Sequence, residues 1–282
     1  MDWRSFWNYK RLIAERFLAA IGVLLGALEL FGLFTEITHA DICGVLILIL
    51  GVLWGLWILR KPNNITLKLN KTTNIHIKFD DIFQEKGIKV IPVNEYFDTH
   101  VGDGIISPDS LHGQFIQRYF DGRENELNSK IREQLLKHPK PIDRNRSRSS
   151  KFQLPENRYA LGTSIKIDDR DNHFILVALT RFNKYEHVDV KEEEYISIIQ
   201  KMFYYIEQYN DNMPVNIPLV GSGQSGFNLS HMQLLNSMLL AAHNSARLSL
   251  NKGLCIVLHK DTQWQNINLN IIEHMYNTWS LI

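Results

Sequence analysis

Two apolar runs within the first 61 residues constrain this chain more than any other feature. Phe17 to Phe34 reads FLAAIGVLLGALELFGLF and Ile42 to Leu59 reads ICGVLILILGVLWGLWIL, 18 residues each. As helix, each is about 27 Å long, close to the roughly 30 Å of a bilayer's hydrocarbon core. With flanking residues the expected spans are about 12–34 and 42–60. The connection TEITHAD, Thr35 to Asp41, is long enough only to reverse the chain. The expected product is an antiparallel transmembrane hairpin whose backbone polar groups are satisfied within each helix. Bulk composition conceals it: 45% hydrophobic residues and a net charge of +1 describe an ordinary globular protein. That near-neutral charge also argues against a bulk nucleic-acid binder.

Orientation follows from basic residues. Arg4, Lys10, Arg11 and Arg16 precede the first run and Arg60 and Lys61 follow the second, whereas the turn carries Glu36 and Asp41 with no Lys or Arg. The positive-inside rule then puts both termini in the cytoplasm, with an inner membrane as the expected location. Glu29, inside the first run, is costly to expose to lipid. It shares a helical face with Gly22 and Gly26, a small-xxx-small pair, and the second run has its own pair in Gly51 and Gly55. Either Glu29 snorkels toward the outer interface, or several copies pack through these faces and it lines a hydrated path. Only two cysteines are present, Cys43 and Cys255. Their settings suggest neither a structural disulfide nor a metal site.

Residues 62–282 form the second expected domain, with 25 basic and 25 acidic residues. Strand-like runs cover 65–69, 74–79, 88–93, 160–167, 174–179, 215–220 and 254–258. Helical spacing covers 107–120, 124–137, 192–209, 230–250 and 264–279. Strands interleaved with helices imply an α/β domain of three layers, α/β/α. The segment Lys130 to Lys151 holds eight basic residues and includes HPKPIDRNRSRSS. It reads as a long surface insertion, or as a basic loop for phosphate or anionic headgroups. Nucleic acid ranks below these because no recognition module accompanies the charge.

Two glycine-bearing loops follow strands and precede helices. The first is HVGDGIISPDS, His100 to Ser110, and the second VGSGQSGFNLS, Val220 to Ser230. Glycines let main-chain N–H groups converge, and a helix N-terminus adds positive potential, so each loop is a candidate phosphate cradle and the two together suit a diphosphate. Neither matches the Gly-Lys-Ser/Thr loop of P-loop proteins or the dinucleotide fingerprint.

In order, Asp81-Ile82, Val93-Asn94, Gly102-Asp103-Gly104-Ile105-Ile106, Ile217-Pro218-Leu219 and Gly221-Ser222-Gly223-Gln224-Ser225-Gly226-Phe227 resemble the motifs of macro domains over about residues 70–260. The resemblance implies an ADP-ribose ligand and no cofactor. It implies that Asp81, or its neighbour Asp80, accepts a hydrogen bond from the adenine amine. The glycine loops would hold the diphosphate, and Phe227 would pack on the distal ribose. Many hydrolysing macro domains carry a second Asn soon after Val-Asn, and here the stretch is Asn94-Glu95-Tyr96-Phe97-Asp98. The signal for hydrolysis is therefore weak, no catalytic residue is assigned, and Asp98 or Asp103 is a base only in the hydrolase alternative.

A two-span hairpin joined to a macro domain resembles the membrane effectors of type II Thoeris anti-phage systems. That resemblance implies a TIR-domain partner that makes an ADP-ribose derivative, histidine-ADP-ribose, and a membrane output through homo-oligomers that kills the infected cell. The alternatives are a membrane-anchored ADP-ribose binding module and an ADP-ribosyl hydrolase.

Overall fold

The computed structural model describes residues 62–137, 141–142, 155, 157–182, 190–223, 227–245, 248–260 and 266–279, with isolated positions 18, 19, 21, 22, 26, 49 and 50. The chain divides into two compact units, Met1–Lys61 and Pro62–Ile282. Those isolated positions of the first unit are helical. The expected spans, with Glu29, Gly51 and Gly55, otherwise lie outside the described residues. No helix among the described residues is long and apolar enough to cross a membrane.

The second unit is built on a mixed seven-stranded sheet in the order β1-β2-β7-β6-β3-β5-β4. Its strands are β1 (Asn64–Lys68), β2 (Asn74–Phe79), β3 (Ile88–Asn94), β4 (Ser164–Asp169), β5 (Asn172–Thr180), β6 (Val215–Pro218) and β7 (Leu254–Leu258). The five inner strands run parallel, and β1 and β4 add antiparallel edges. Burial explains the pattern. Edge strand β1 alternates exposed and buried residues, whereas β3 is buried along almost its whole length, as a strand covered on both faces must be.

Successive residues of the inner strands enter opposite layers. Ile88, Val90, Ile175, Val177 and Ile217 pack with α3 (Tyr195–Tyr209), α4 (His231–Asn244) and α5 (Leu269–Trp279) through Ile199, Phe203, Leu235, Met238 and Ile272. On the other face Ile91, Val93, Phe174 and Leu176 pack with α1 (Leu111–Tyr119) and α2 (Glu124–Leu135) through Phe115, Ile116, Leu127 and Ile131. The expected three layers are present.

Several boundaries differ from the sequence reading, two of them for clear local reasons. β4 starts at Ser164 rather than residue 160 because Gly162, at φ +87°, turns the chain just before it. α4 stops at Asn244 rather than 250; Ser245 leaves the helical region, while Leu248 and Leu250 are still buried and so keep the apolar pattern going. The basic segment starting at Lys130 is helical at its beginning, where Lys130 in α2 pairs with Glu126 and donates to the Asp168 carbonyl at 2.8 Å.

Candidate functional site

The carboxyl ends of all five parallel strands open into one cleft of about 1000 Å³. Ligands of open α/β sheets bind at such ends, where no strand continues and loops supply free backbone groups. Each loop contributes a distinct piece.

After β2, Asp80 and Asp81 lead into a single 3-10 turn, Ile82–Gln84. Asp81 caps it, Oδ1 accepting from the Phe83 N–H at 2.9 Å, and its other oxygen takes a bond from Arg118 Nη1 at 3.3 Å. Asp80 accepts from the Asp81 N–H at 3.0 Å and sits 3.5 Å from Lys78 Nζ. The main-chain N–H chiefly, with Lys78 assisting, holds the Asp80 carboxyl below the usual range.

After β3, the first glycine loop turns back on itself. Gly102, Asp103 and Gly104 all have positive φ, at +102°, +52° and +79°. The turn is closed by Gly102 N–H to Ile106 O at 2.8 Å and Ile105 N–H to Gly102 O at 3.0 Å. Asp103 tolerates its left-handed conformation, as Asp does better than most residues, and accepts from or pairs with His100 Nε2 at 2.9 Å. The next turn ends at Ser110, which caps α1 by accepting from the Gly113 N–H at 3.0 Å and donates to the Ser107 carbonyl at 2.6 Å. A Cβ on Gly113 would collide with the Ser107 carbonyl and Pro108. Only glycine lets this turn lie so close on the helix.

After β6, Gly221 turns at φ +89°, and a side chain there would crowd Leu234, Tyr195 and Phe227. Ser222 folds over the strand end, its hydroxyl donating to the Leu219 carbonyl at 2.7 Å. Tyr195, the first residue of α3, fixes the same loop by donating to the Val220 carbonyl at 2.7 Å. α4 begins just beyond with a complete capping box, Ser230 with Gln233.

With this geometry in view, the sequence model of the family described as Thoeris protein ThsA, Macro domain, matches residues 75–259. That stretch runs from β2 to the residue after β7 and so includes every strand end lining the cleft. Thoeris protein ThsA of Bacillus amyloliquefaciens (strain Y2) is 34% identical over 232 residues, covering 77% of this chain and 74% of that relative. The chain belongs to the Thoeris ThsA macro domain family. Among solved structures, the Oceanobacillus iheyensis macrodomain with ADP aligns with a TM-score of 0.51 at 10% identity, covering 77% of this chain and 96% of that one. A glycine-to-valine mutant of the same macrodomain, with ADPR, aligns at the same TM-score and identity, covering 77% and 98%. At such identity these two show the macrodomain fold.

Within this ThsA-type macro domain, Asp80, Asp81, Ile82, Asn94, Gly102, Asp103, Gly104, Ile105, Ile106, Gly221, Ser222 and Gly223 all line the one cleft. Gln224, Ser225 and Gly226 lie outside the described residues. Two other expectations take a different form. Phe227 is not among the lining residues; its ring is buried edge-on against Tyr195, centroids 5.0 Å apart. Asn94 reaches the cleft, but its amide is committed to its own loop. Its Oδ1 accepts from the Tyr96 and Asp98 N–H groups at 3.1 and 3.3 Å, and its Nδ2 donates to Asp98 Oδ2 at 2.9 Å. The rings after it do not face the ligand space either: Tyr96 and Phe97 are buried, Phe97 edge-on to Tyr159 at 5.8 Å.

Four lining residues carry no sequence signal of their own. Arg118 and His112 sit on α1 among residues whose spacing describes an amphipathic helix, and Thr180 and Phe182 lie at the end of β5 and just beyond it. His112 is buried, and burial pushes its pKa down to about 3 against a hydrogen bond to the Asp98 backbone, so it is neutral. Buried Glu95 ties the end of β3 to the end of β5, its Oε1 accepting from the Phe182 N–H at 3.0 Å. Among the described residues no group of His, Cys, Asp and Glu is placed to hold a metal ion.

Proposed function

We propose that this chain is a membrane effector of anti-phage defence whose macro domain reads an ADP-ribose-derived signal. The observation that carries the sensing half is the convergence of Asp81, the 102–106 turn and the 221–223 turn on one cleft. An adenine amine would donate to Asp81, and the diphosphate would take main-chain N–H groups of the two glycine turns, as glycine-rich nests accept anions elsewhere. The Oceanobacillus iheyensis relatives, solved with ADP and with ADPR, support the ligand class, and Thoeris protein ThsA supports the defence setting. Histidine-ADP-ribose made by a TIR-domain enzyme is the proposed signal. Membrane lipid and further copies of the chain are the proposed partners of the N-terminal hairpin, with both termini on the cytoplasmic side of the inner membrane.

The reading is of a sensor rather than a hydrolase. The Asn94 amide is spent on its own loop, so it is not available to orient a distal ribose or water without breaking that loop. Titration calorimetry of the full chain in detergent, against ADP-ribose and its histidine adduct, tests this. Saturable binding with a preference for the adduct, and no turnover of either, is expected. Absence of binding to both, or release of product from an ADP-ribosylated substrate, would remove the reading.

A further inference from the structure

A phenylalanine stands at each end of the cleft. Phe83, in the turn after β2, is buried, and the Arg118 guanidinium carbon lies 4.3 Å from its ring centroid. Phe182, just beyond β5, has no such cover. It lines the cleft and is partly exposed, it belongs to neither hydrophobic cluster, and among the described residues its ring pairs with no other ring. A single exposed apolar side chain is ordinary where it can turn away. Here the chain is tied at three consecutive residues. The Thr180 carbonyl accepts from the Glu95 N–H at 2.9 Å, Arg181 Nη2 donates to Glu194 Oε1 at 3.0 Å, and the Phe182 N–H donates to Glu95 Oε1 at 3.0 Å. Glu95 is itself fully buried, so Phe182 is held at the cleft by an anchor inside the fold.

The order of the strands gives this end its meaning. From β2 the sheet runs through β7, β6 and β3 to β5, so β2 and β5 are four strand spacings apart, about 19 Å. The turns at 102–106 and 221–223 follow β3 and β6, which lie between them. A ligand with its base beside Asp81 and its diphosphate on those turns therefore sends its other end toward β5. There the lining comes from Leu179, Thr180 and Phe182, none of them charged. The Asn94 amide at the neighbouring strand end is committed to its own loop. What this end offers is a phenyl ring and the Thr180 hydroxyl, and the complement is a flat ring with a polar edge.

We propose that Phe182 is a specificity-determining residue for the group carried beyond the second ribose, stacking on a planar ring at that position. This rests on the ADP-ribose reading above and adds to it the residue that separates a ring-bearing derivative, such as the histidine adduct, from ADP-ribose itself. Phe227, the aromatic that the sequence offers for the distal ribose, packs on Tyr195 instead and does not line the cleft. Ring-on-ring contact adds a few-fold in affinity beyond the area it covers. An aliphatic side chain of similar bulk supplies the area alone.

The test is titration of the full chain in detergent with ADP-ribose and with its histidine adduct, for the wild type, Phe182→Leu and Phe182→Tyr. The wild type should prefer the adduct by roughly tenfold. Phe182→Leu should bind the adduct about fivefold more weakly and ADP-ribose within about twofold of wild type, so that most of the preference is lost. Phe182→Tyr, which keeps the ring face, should retain the wild-type preference to within about twofold. Equal weakening of both ligands by Phe182→Leu would assign the ring to the sugar or to the shape of the cleft and overturn the proposal. So would an unchanged preference, or a Phe182→Tyr chain that loses it as Phe182→Leu does. A wild type that binds neither ligand fails the ADP-ribose reading itself; a wild type that binds both equally overturns the Phe182 proposal and leaves that reading standing.

Discussion

At the scale of single residues, His112 is the one whose chemistry differs most from its appearance in the sequence. Buried in the first turn of α1 and lining the cleft, it has a folded-state pKa of about 3 against 6.5 when unfolded. The unfolded chain therefore binds a proton below pH 6.5 that the folded one refuses. The stabilisation is complete above pH 6.5 and is lost progressively as pH falls toward 3, with a slope of at most about 1.4 kcal/mol per pH unit. Urea unfolding midpoints should fall between pH 7 and 5 in the wild type. His112→Gln, which keeps a donor for the Asp98 carbonyl, should flatten that fall; an unchanged slope would place its origin elsewhere. The glycines at 102, 104 and 221 were legible because a strand followed by Gly-x-Gly before a helix has few structural alternatives. His112 and Arg118 were not, since a polar residue on an amphipathic helix reads as solvent-facing until the sheet end beneath it is known. Phe227 is ambiguous for the converse reason: an aromatic after a glycine turn fits a ligand wall or a core equally well, and here its ring packs on Tyr195.

At the scale of elements, the seven strands and five helices among the described residues of the second unit were present in the sequence pattern, since inner strands buried on both faces show as continuous Val/Ile/Leu runs bounded by turns. Their order in the sheet was not, because side-chain period says which face is buried and nothing about which strand is the neighbour. The pairing of β3 with β6 and β5 is what brings the two glycine turns to one cleft. Tyr195 joins another pair of elements, the start of α3 and the turn after β6. Its phenol is buried, and burial raises its pKa far above the usual value, so it remains a neutral donor at any physiological pH. Tyr195→Phe should leave the Val220 carbonyl without its donor and cost about 1–3 kcal/mol in unfolding free energy. Because Gly221 and Ser222 follow that carbonyl directly, ADP-ribose affinity should fall too. Loss of stability without any loss of affinity would show that the turn holds its shape unaided.

At the scale of the whole molecule, the proposed function raises the question of how a soluble ligand bound by the second unit would change what a membrane hairpin in the first does. Binding to one state of the second unit does nothing to the first unless that state is also favoured by an assembly or conformation of the hairpin. Moving a resting population from about 1:99 to 99:1 requires roughly 5.5 kcal/mol of differential affinity. A proposed effector of this type therefore separates into parts with different readouts. Binding belongs to Asp81 and the two glycine turns, and permeation to the hairpin, where Glu29 is the residue whose charge is most costly in lipid. For the full chain in dye-loaded vesicles containing anionic lipid, release should rise with ligand concentration and saturate with binding. Glu29→Gln, which alters the permeation path and not the balance between resting and active states, should leave calorimetric affinity within about twofold of wild type while it slows release severalfold. Release that ignores ligand, or a Glu29→Gln chain that leaks like the wild type, would break the division. In the first case the ligand does not bias the membrane state, and in the second the charge inside the apolar run is not on the permeation path.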